Sequence, residues 1–445
     1  MKKILVLGAG RSASSLIKYL LDNSFAEGWH ITVTDKSEEM ARLKTGNHPN
    51  SNAIGFDANK KENRLKEISK ADVVISMLPP TLHINIAKDC IALKKHMVTA
   101  SYVSDEMKAL DLLAKKEGVV IMNEVGVDPG IDHMSAMRVI DEVHDSGGKM
   151  VQFESFCGGL VAPESDNNPW NYKFTWNPRN VVLAGQGTAV KFIQENQYKY
   201  IPYHKLFRRT EIIEIEQYGK FEGYANRDSL KYRELYGLQG IPTIYRGTLR
   251  RPGFSRAWDI FVQLGMTDDS YIMEGSENMT YRQFLNSFLS YHPTDSVEIK
   301  LMMYLHLDQD DTILMDKVKW LGLFDNTKKV GIKDASPAQI LQHILEQKWK
   351  LEEHDKDMIV MWHKFIYELK GKKYDRESSL IVMGDDRTFT SMAKTVGLPV
   401  GIATKLILNG TICKPGVHIP VKKEFYLPVL KELEENGIVF KEKFN

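Results

Sequence analysis

Met1-Lys-Lys-Ile-Leu-Val-Leu-Gly-Ala-Gly-Arg-Ser-Ala-Ser-Ser15 reads as a buried strand, a glycine-rich turn and the start of a helix. Ile4 to Leu7 form the continuous apolar run of a parallel strand buried on both faces. Gly8, Gly10 and Ala13 follow in G-x-G-x-x-A spacing. The first residue of that pattern permits a tight turn, the second lets backbone approach a pyrophosphate, and the third brings helix close to sheet. The helix opening near Arg11 would aim its free N–H groups and positive dipole end at the same phosphate. A glycine turn alone is a weak signal. A second strand, His30 to Thr34, ending at Asp35 strengthens it, because a carboxylate there accepts from ribose hydroxyls and repels a 2′-phosphate. Asp35 favours NAD, and Lys36 beside it leaves NADP open.

The length of 445 residues suggests two or three domains. The balance of 59 basic against 58 acidic residues gives no electrostatic footprint for nucleic acid or an anionic membrane and fits a small-molecule enzyme. Three scattered cysteines, Cys90, Cys157 and Cys413, are too few for a disulfide framework or a cysteine-rich zinc site, so a reduced, cytoplasmic protein is expected. No apolar stretch is expected to reach the length of a membrane span, and the strand at Ile4 leaves no room for a signal peptide.

Alternating strands and helices continue through Val73 to Met77, stopped by Leu78-Pro79-Pro80, and through Met97 to Thr99, which opens into Ala100-Ser101-Tyr102. Val119 to Met122 completes six strands of a dinucleotide fold ending at about residue 127. A short strand ending at Asp57 reads equally well as leading to an adenine contact or to a plain loop aspartate. Asn123-Glu-Val-Gly-Val-Asp-Pro-Gly-Ile-Asp-His133 then crosses out of the sixth strand. Such a loop can aim a side chain from a fixed strand, and Asp128 is its candidate, against the plain reading of a turn or N-cap residue.

Beyond it come an alternating strand, Val151 to Cys157, and the dense aromatic run Asn168-Pro-Trp-Asn-Tyr-Lys-Phe-Thr-Trp-Asn-Pro-Arg179. Further strands are expected at Glu211–Glu216, Thr243–Leu249 and Ser255–Leu264. Arg227, Arg246, Arg250 and Arg251 stand in two short stretches, and guanidinium groups near a cofactor cleft imply an acidic substrate with several carboxylates. Tyr281 to Leu369 reads as mainly helical, with a capping box at Ser336-Pro-Ala-Gln339 and helical spacing over Met358–Leu369. His343, His354 and His363 lack tight ligand spacing, so no metal is expected. An apolar helix over 390–408 is expected to break at Gly397-Leu-Pro399, and a last helix spans Lys423–Asn436. The fold class is α/β: a Rossmann dinucleotide-binding domain (1–127), an α+β substrate domain with a mixed sheet (128–280 and 376–445) and a helical insertion (281–375).

The sequence G-A-G-R-S-A at Gly8, S-M-L-P at Ser76, H-M-V-T-A-S-Y at His96, the Asn123 crossing and F-C-G-G-L at Phe156 resemble the glutamate-forming saccharopine dehydrogenases. The aromatic run, N-R-D-S at Asn226, R-G-T-L-R at Arg246 and M-A-K-T-V-G-L-P at Met392 continue the likeness over nearly the whole chain. The resemblance implies reversible oxidation of saccharopine: hydride leaves the lysine-derived side of the secondary amine, and water hydrolyses the resulting imine to glutamate and 2-aminoadipate 6-semialdehyde. Its three carboxylates agree with the arginines.

Carried over, substrate contacts are Ser101, Tyr102, Asp128, Arg227, Thr248, Leu249 and Arg250. Cofactor contacts are Gly8, Gly10, Arg11, Ser12, Ala13, Asp57, Ala58, Leu78, Pro79, Ala100, Ser101, Val127, Asp128, Pro129 and Thr175. Fungal relatives hold NADP with a basic residue after the second strand, a pattern from which Asp35-Lys36 departs. Tyr102, Asp128 and Cys157 are the ionisable groups expected near the reaction. Asp128 is first choice for orienting the amine, and Cys157 reads more readily as a small buried side chain, the usual behaviour of free cysteine. The Met-rich helical region suggests a homodimer. The alternatives are a carboxynorspermidine or homospermidine dehydrogenase-like imine reductase, against which the arginines count, and a non-catalytic dinucleotide sensor.

Overall fold

Strand β1 (Lys2–Leu7) runs into a 3-10 turn, Arg11–Ala13, and helix α1 (Ser14–Glu27) in a computed structural model that describes residues 1–187, 189–308 and 311–445. Strands β2 (Trp29–Asp35), β3 (Ser51–Gly55), β4 (Val73–Ser76), β5 (His96–Val98) and β6 (Val120–Met122) follow, with helix α2 (Pro80–Ala92) after β4 and α3 (Ile131–Asp145) after β6. All pair in parallel in the order β6-β5-β4-β1-β2-β3. That order is the doubly wound dinucleotide-binding sheet. Its central strands are apolar without alternation because helices cover both faces: Ile4, Leu5, Val6 and Leu7 are all buried.

By packing, the chain forms one unit from residues 1–153, 234–239 and 358–445 and another from 154–233 and 240–357. These limits differ from the expected boundaries at 127, 281 and 375, and residues 376–445 pack with the N-terminal region.

Strand β7 (Lys149–Val161) begins in the first unit and continues into the second, which adds β8 (Val190–Gln194), β9 (Gln197–Ile201), β10 (Thr210–Ile215), β11 (Gly219–Ala225) and β12 (Thr243–Arg250). Its strand order is β10-β11-β12-β7, with β8 on β12 and β9 on β8. Residues 255–264, expected as strand, form helix α4 (Phe254–Leu264). The aromatic and β-branched residues suggested a strand, but Phe254, Ala257, Trp258 and Phe261 recur at helical spacing and are buried, while Arg256 is exposed. The aromatic run is core. Trp170 stacks on Phe261, and Trp170, Tyr172 and Phe174 all meet Trp349 edge-on at ring distances of 5.0–5.3 Å.

Helices then cover Tyr281–Asn286, Val297–Tyr304, Thr312–Trp320 and Pro337–Lys348, the last opened by the expected capping box. Residues 358–369, read as helical, are instead strand β13 (Asp357–Leu369), paired antiparallel with β14 (Lys372–Met383). Met358 to His363 are buried without a break, and a strand covered on both faces carries the same apolar run as a buried helix. Helix α5 (Ser391–Leu408) runs unbroken through Gly397 and Pro399, where an interruption was expected; packing of its buried faces outweighs the cost of an internal proline. This helix is also long and apolar enough to cross a membrane by length and composition, counter to the expectation that no stretch is. Most of it is buried, chiefly against α1. Strand β15 (Gly416–His418) joins β6 in parallel, α6 (Lys423–Glu435) follows, and β16 (Lys441–Phe444) pairs with β14.

Candidate active site

Every strand of a parallel sheet ends at the same edge, so the topology gathers the residues that follow β1 to β6. Gly8, Asp35, Asp57, Leu78-Pro79, Ala100-Ser101-Tyr102 and Val127-Asp128-Pro129 all stand at or beyond carboxyl ends of these strands. That is where ligands bind in such sheets. Gly8 has φ +103°, and a Cβ on it would lie 2.9 Å from the Met77 carbonyl oxygen, so both conformation and space require glycine. At Gly10 no atom lies within 4 Å of the place a Cβ would occupy. The open backbone fits a pyrophosphate, with Arg11 exposed, Ser12 half-buried and Ala13 buried around it.

Asp35 accepts from Ala9 N at 2.9 Å and from Ser37 N at 3.2 Å, so its carboxylate braces the glycine turn as well as facing the edge. Lys36 is exposed. Lys44 donates to Ser14 Oγ, and burial lowers its pKa. Asp57 accepts from both the backbone and the side-chain nitrogen of Asn59, bonds that hold its carboxyl below the ordinary range, as in a capped turn; Ala58 beside it is buried.

At the end of β5, Ser101 Oγ lies 2.8 Å from His83 Nε2, and His83 Nδ1 lies 2.8 Å from Ser76 Oγ. Burial pulls the His83 pKa down to about 4, so the ring stays neutral and uses one N–H and one lone pair between the two hydroxyls. Tyr102 OH donates to Asp128 Oδ1 at 3.2 Å. The Asp128–Pro129 peptide is cis. Glu124, in the same crossing, accepts from Val103 N and reaches His133. Motif reading quoted Glu124 and His133 without a role and missed His83; burial of a histidine among hydroxyls leaves no signature in spacing.

The second unit carries the arginines. In an extended strand alternate residues share a face, so Arg246, Thr248 and Arg250 stand on one side of β12 and Leu249 on the other. A Cβ on Gly158 would meet the Leu249 carbonyl at 2.4 Å, which explains the first glycine of F-C-G-G-L. Phe156 sets two more glycines: Cβ atoms on Gly223 and Gly247 would fall within 2.7 Å and 2.2 Å of its ring.

Arg250 is 5% exposed. Its guanidinium lies 5.1 Å from the Tyr172 ring centre and 5.4 Å from that of Phe254. Nη1 donates to a backbone carbonyl, and Nε, shut off from solvent, has no hydrogen-bond partner among the described residues. This buried cation is thus packed between rings, with no carboxylate hydrogen-bonded to it among the described residues. Thr175 Oγ1 is another buried polar atom without a partner among the described residues.

The other arginines disperse. Arg246 is buried 4.1 Å over Tyr232, Arg251 lies over Phe221, and Arg227 is exposed at φ +53°. Cys157 is buried on β7. His343, His354 and His363 stand apart on a helix, a loop and β13.

Comparison with known proteins bears on this arrangement. Residues 4–122 match the saccharopine dehydrogenase NADP binding domain, and residues 126–438 match the saccharopine dehydrogenase C-terminal domain. The saccharopine dehydrogenase [NADP(+), L-glutamate-forming] of Schizosaccharomyces pombe is 36% identical over 100% of this chain and 99% of its own. That of Saccharomyces cerevisiae is 35% identical over 99% of each. The apo structure of the Saccharomyces cerevisiae L-Glu-forming enzyme superposes with a TM-score of 0.91 at 34% identity, covering 100% of both chains. With the nucleotide-edge geometry described above, these matches place the chain in the saccharopine dehydrogenase family.

Proposed function

We propose that this protein is a saccharopine dehydrogenase of the L-glutamate-forming type. It converts saccharopine, water and NAD(P)+ reversibly to glutamate, 2-aminoadipate 6-semialdehyde and NAD(P)H, with release of a proton. The end-to-end likeness to L-glutamate-forming enzymes carries this reading. Buried Arg250, a cation suited to a substrate carboxylate, supports it independently and counts against a polyamine substrate.

The Gly8–Ala13 turn, Asp35, Leu78-Pro79, Ala100-Ser101 and Val127–Pro129 would hold the dinucleotide, and bound there it would supply hydride transfer. Asp128 favours the cationic form of a secondary amine beside it and orients it, while the Tyr102 hydroxyl fixes the carboxylate. Arg250 takes a substrate carboxylate, with the Tyr172 and Phe254 rings holding its guanidinium in place.

Between the two nucleotides, the Asp35 carboxylate supports NAD over NADP by repulsion of a 2′-phosphate. The relatives named above act with NADP(+), so both are tested. Absorbance of the reduced nucleotide is followed with saccharopine and each nucleotide in turn; no turnover with either overturns the proposal. Asp35→Asn keeps an oxygen for Ala9 N and removes the charge, and is expected to shift the kcat/KM ratio towards NADP about tenfold, some 1.4 kcal/mol. An unchanged ratio overturns the role given to Asp35.

A further inference from the structure

The Tyr102–Asp128 pair joins two separate loops, and neither residue is fixed by that bond alone. Tyr102 follows β5 and Asp128 lies in the crossing between β6 and α3. Glu124 stands at the root of the crossing, where its backbone N donates to Ser101 O at 3.1 Å and Val125 N donates to Thr99 O at 3.3 Å. It adopts φ +58°, a left-handed conformation that a side chain other than glycine takes only when its surroundings impose it.

The result is a carboxylate turned inward and only 5% exposed. One oxygen accepts from Val103 N, the residue after Tyr102, at 2.9 Å. The other lies 2.8 Å from Nε2 of His133, which is fully buried in the first turn of α3, five residues beyond Asp128. The far side of that ring is fixed in turn, with Nδ1 2.6 Å from Tyr236 OH.

We infer that Glu124 is a positioning residue: its two carboxylate oxygens bridge the Tyr102 loop to the helix behind Asp128 and thereby set the spacing of the pair. This rests on the assignment of Tyr102 and Asp128 to the substrate amine. The bridge depends on reach rather than on charge. An amide at position 124 keeps both tethers, its oxygen taking Val103 N–H and its NH2 donating to His133 Nε2 once the ring proton moves to Nδ1, where the Tyr236 oxygen accepts it. Aspartate keeps the charge but is one carbon shorter and cannot span both partners.

The test compares Glu124→Gln with Glu124→Asp in the full-length enzyme, measuring kcat, the saccharopine KM and NADPH affinity by fluorescence titration. Wild-type turnover of saccharopine comes first, and its absence defeats the functional reading before any variant is made. Given turnover, Glu124→Asp is expected to lower kcat about 10- to 100-fold, the cost of a displacement near 1 Å, with NADPH affinity changed less than about threefold. Glu124→Gln is expected to retain at least about a third of wild-type kcat, its geometry being kept. If Glu124→Asp matches or exceeds Glu124→Gln, charge and not bridging is what matters, and the inference fails. It fails equally if both variants match wild type, or if NADPH affinity falls in step with kcat.

Discussion

His83 sits between two serine hydroxyls with 4% of its surface exposed, and that burial has a thermodynamic sign. Its pKa falls from 6.5 in the free side chain to about 4 in the fold, through desolvation. Between these two values the unfolded chain binds a proton that the folded chain does not. The stability contribution is therefore complete above pH 6.5 and is lost as pH drops towards 4, a change of about 3 kcal/mol. His83→Gln should be less stable at neutral pH yet show a flatter decline in acid. Denaturant unfolding at a series of pH values measures the slope, and a slope equal to wild type refutes the assignment.

Residues of this kind explain what spacing revealed and what it hid. Gly8, Asp35 and Asp128 were legible because a turn, a strand tip and a loop constrain them locally. His83, Glu124 and His133 act through partners brought in by the fold, including Tyr236, more than a hundred positions from His133. Arg250 was legible only as one candidate among four arginines, because the rings that enclose it come from the aromatic run and from α4.

Among the elements, the parallel strands and the capped helix at Ser336 followed from pattern, whereas β13 and α4 were exchanged in kind. A run buried on all sides loses its periodicity, as in β13, and a helix rich in aromatic and β-branched residues imitates a strand, as in α4. Helix α5 shows tertiary packing overruling local punctuation. Its Gly397 and Gly401 face α1: a Cβ on Gly397 would lie 2.7 Å from Leu16 N, and one on Gly401 would lie 2.6 Å from the Tyr19 ring. Main chain cannot rotate aside, so Gly397→Val should cost about 1–3 kcal/mol through overpacking. Because α1 carries the glycine turn at its start, the dinucleotide KM should rise as well. Thermal melts and initial rates test this, and a variant with wild-type values for both would show that the helices separate at no cost.

For the molecule as a whole, the dinucleotide-binding unit is discontinuous in sequence. The segment 4–122 that matches a nucleotide-binding family model leaves the β6 edge open and α1 without α5, because both neighbours come from residues beyond 390. A fragment ending at residue 127 is accordingly expected to bind NADPH at least tenfold more weakly than the intact chain, a loss of about 1.4 kcal/mol or more. Fluorescence titration of the two proteins decides it, and equal affinities would make the later residues dispensable.

The pairing of Gly416–His418 with β6 also carries a consequence for the order of events on the ribosome. A chain made from its amino end exposes the first six strands early, yet the strand that covers the β6 edge, Gly416–His418, is made long after Val120–Met122. Until then the cradle for the nucleotide has an unpaired rim. An early cofactor would meet a sheet still open at β6, and the interval before residues 416–418 emerge is when that edge is most exposed to pairing with another chain.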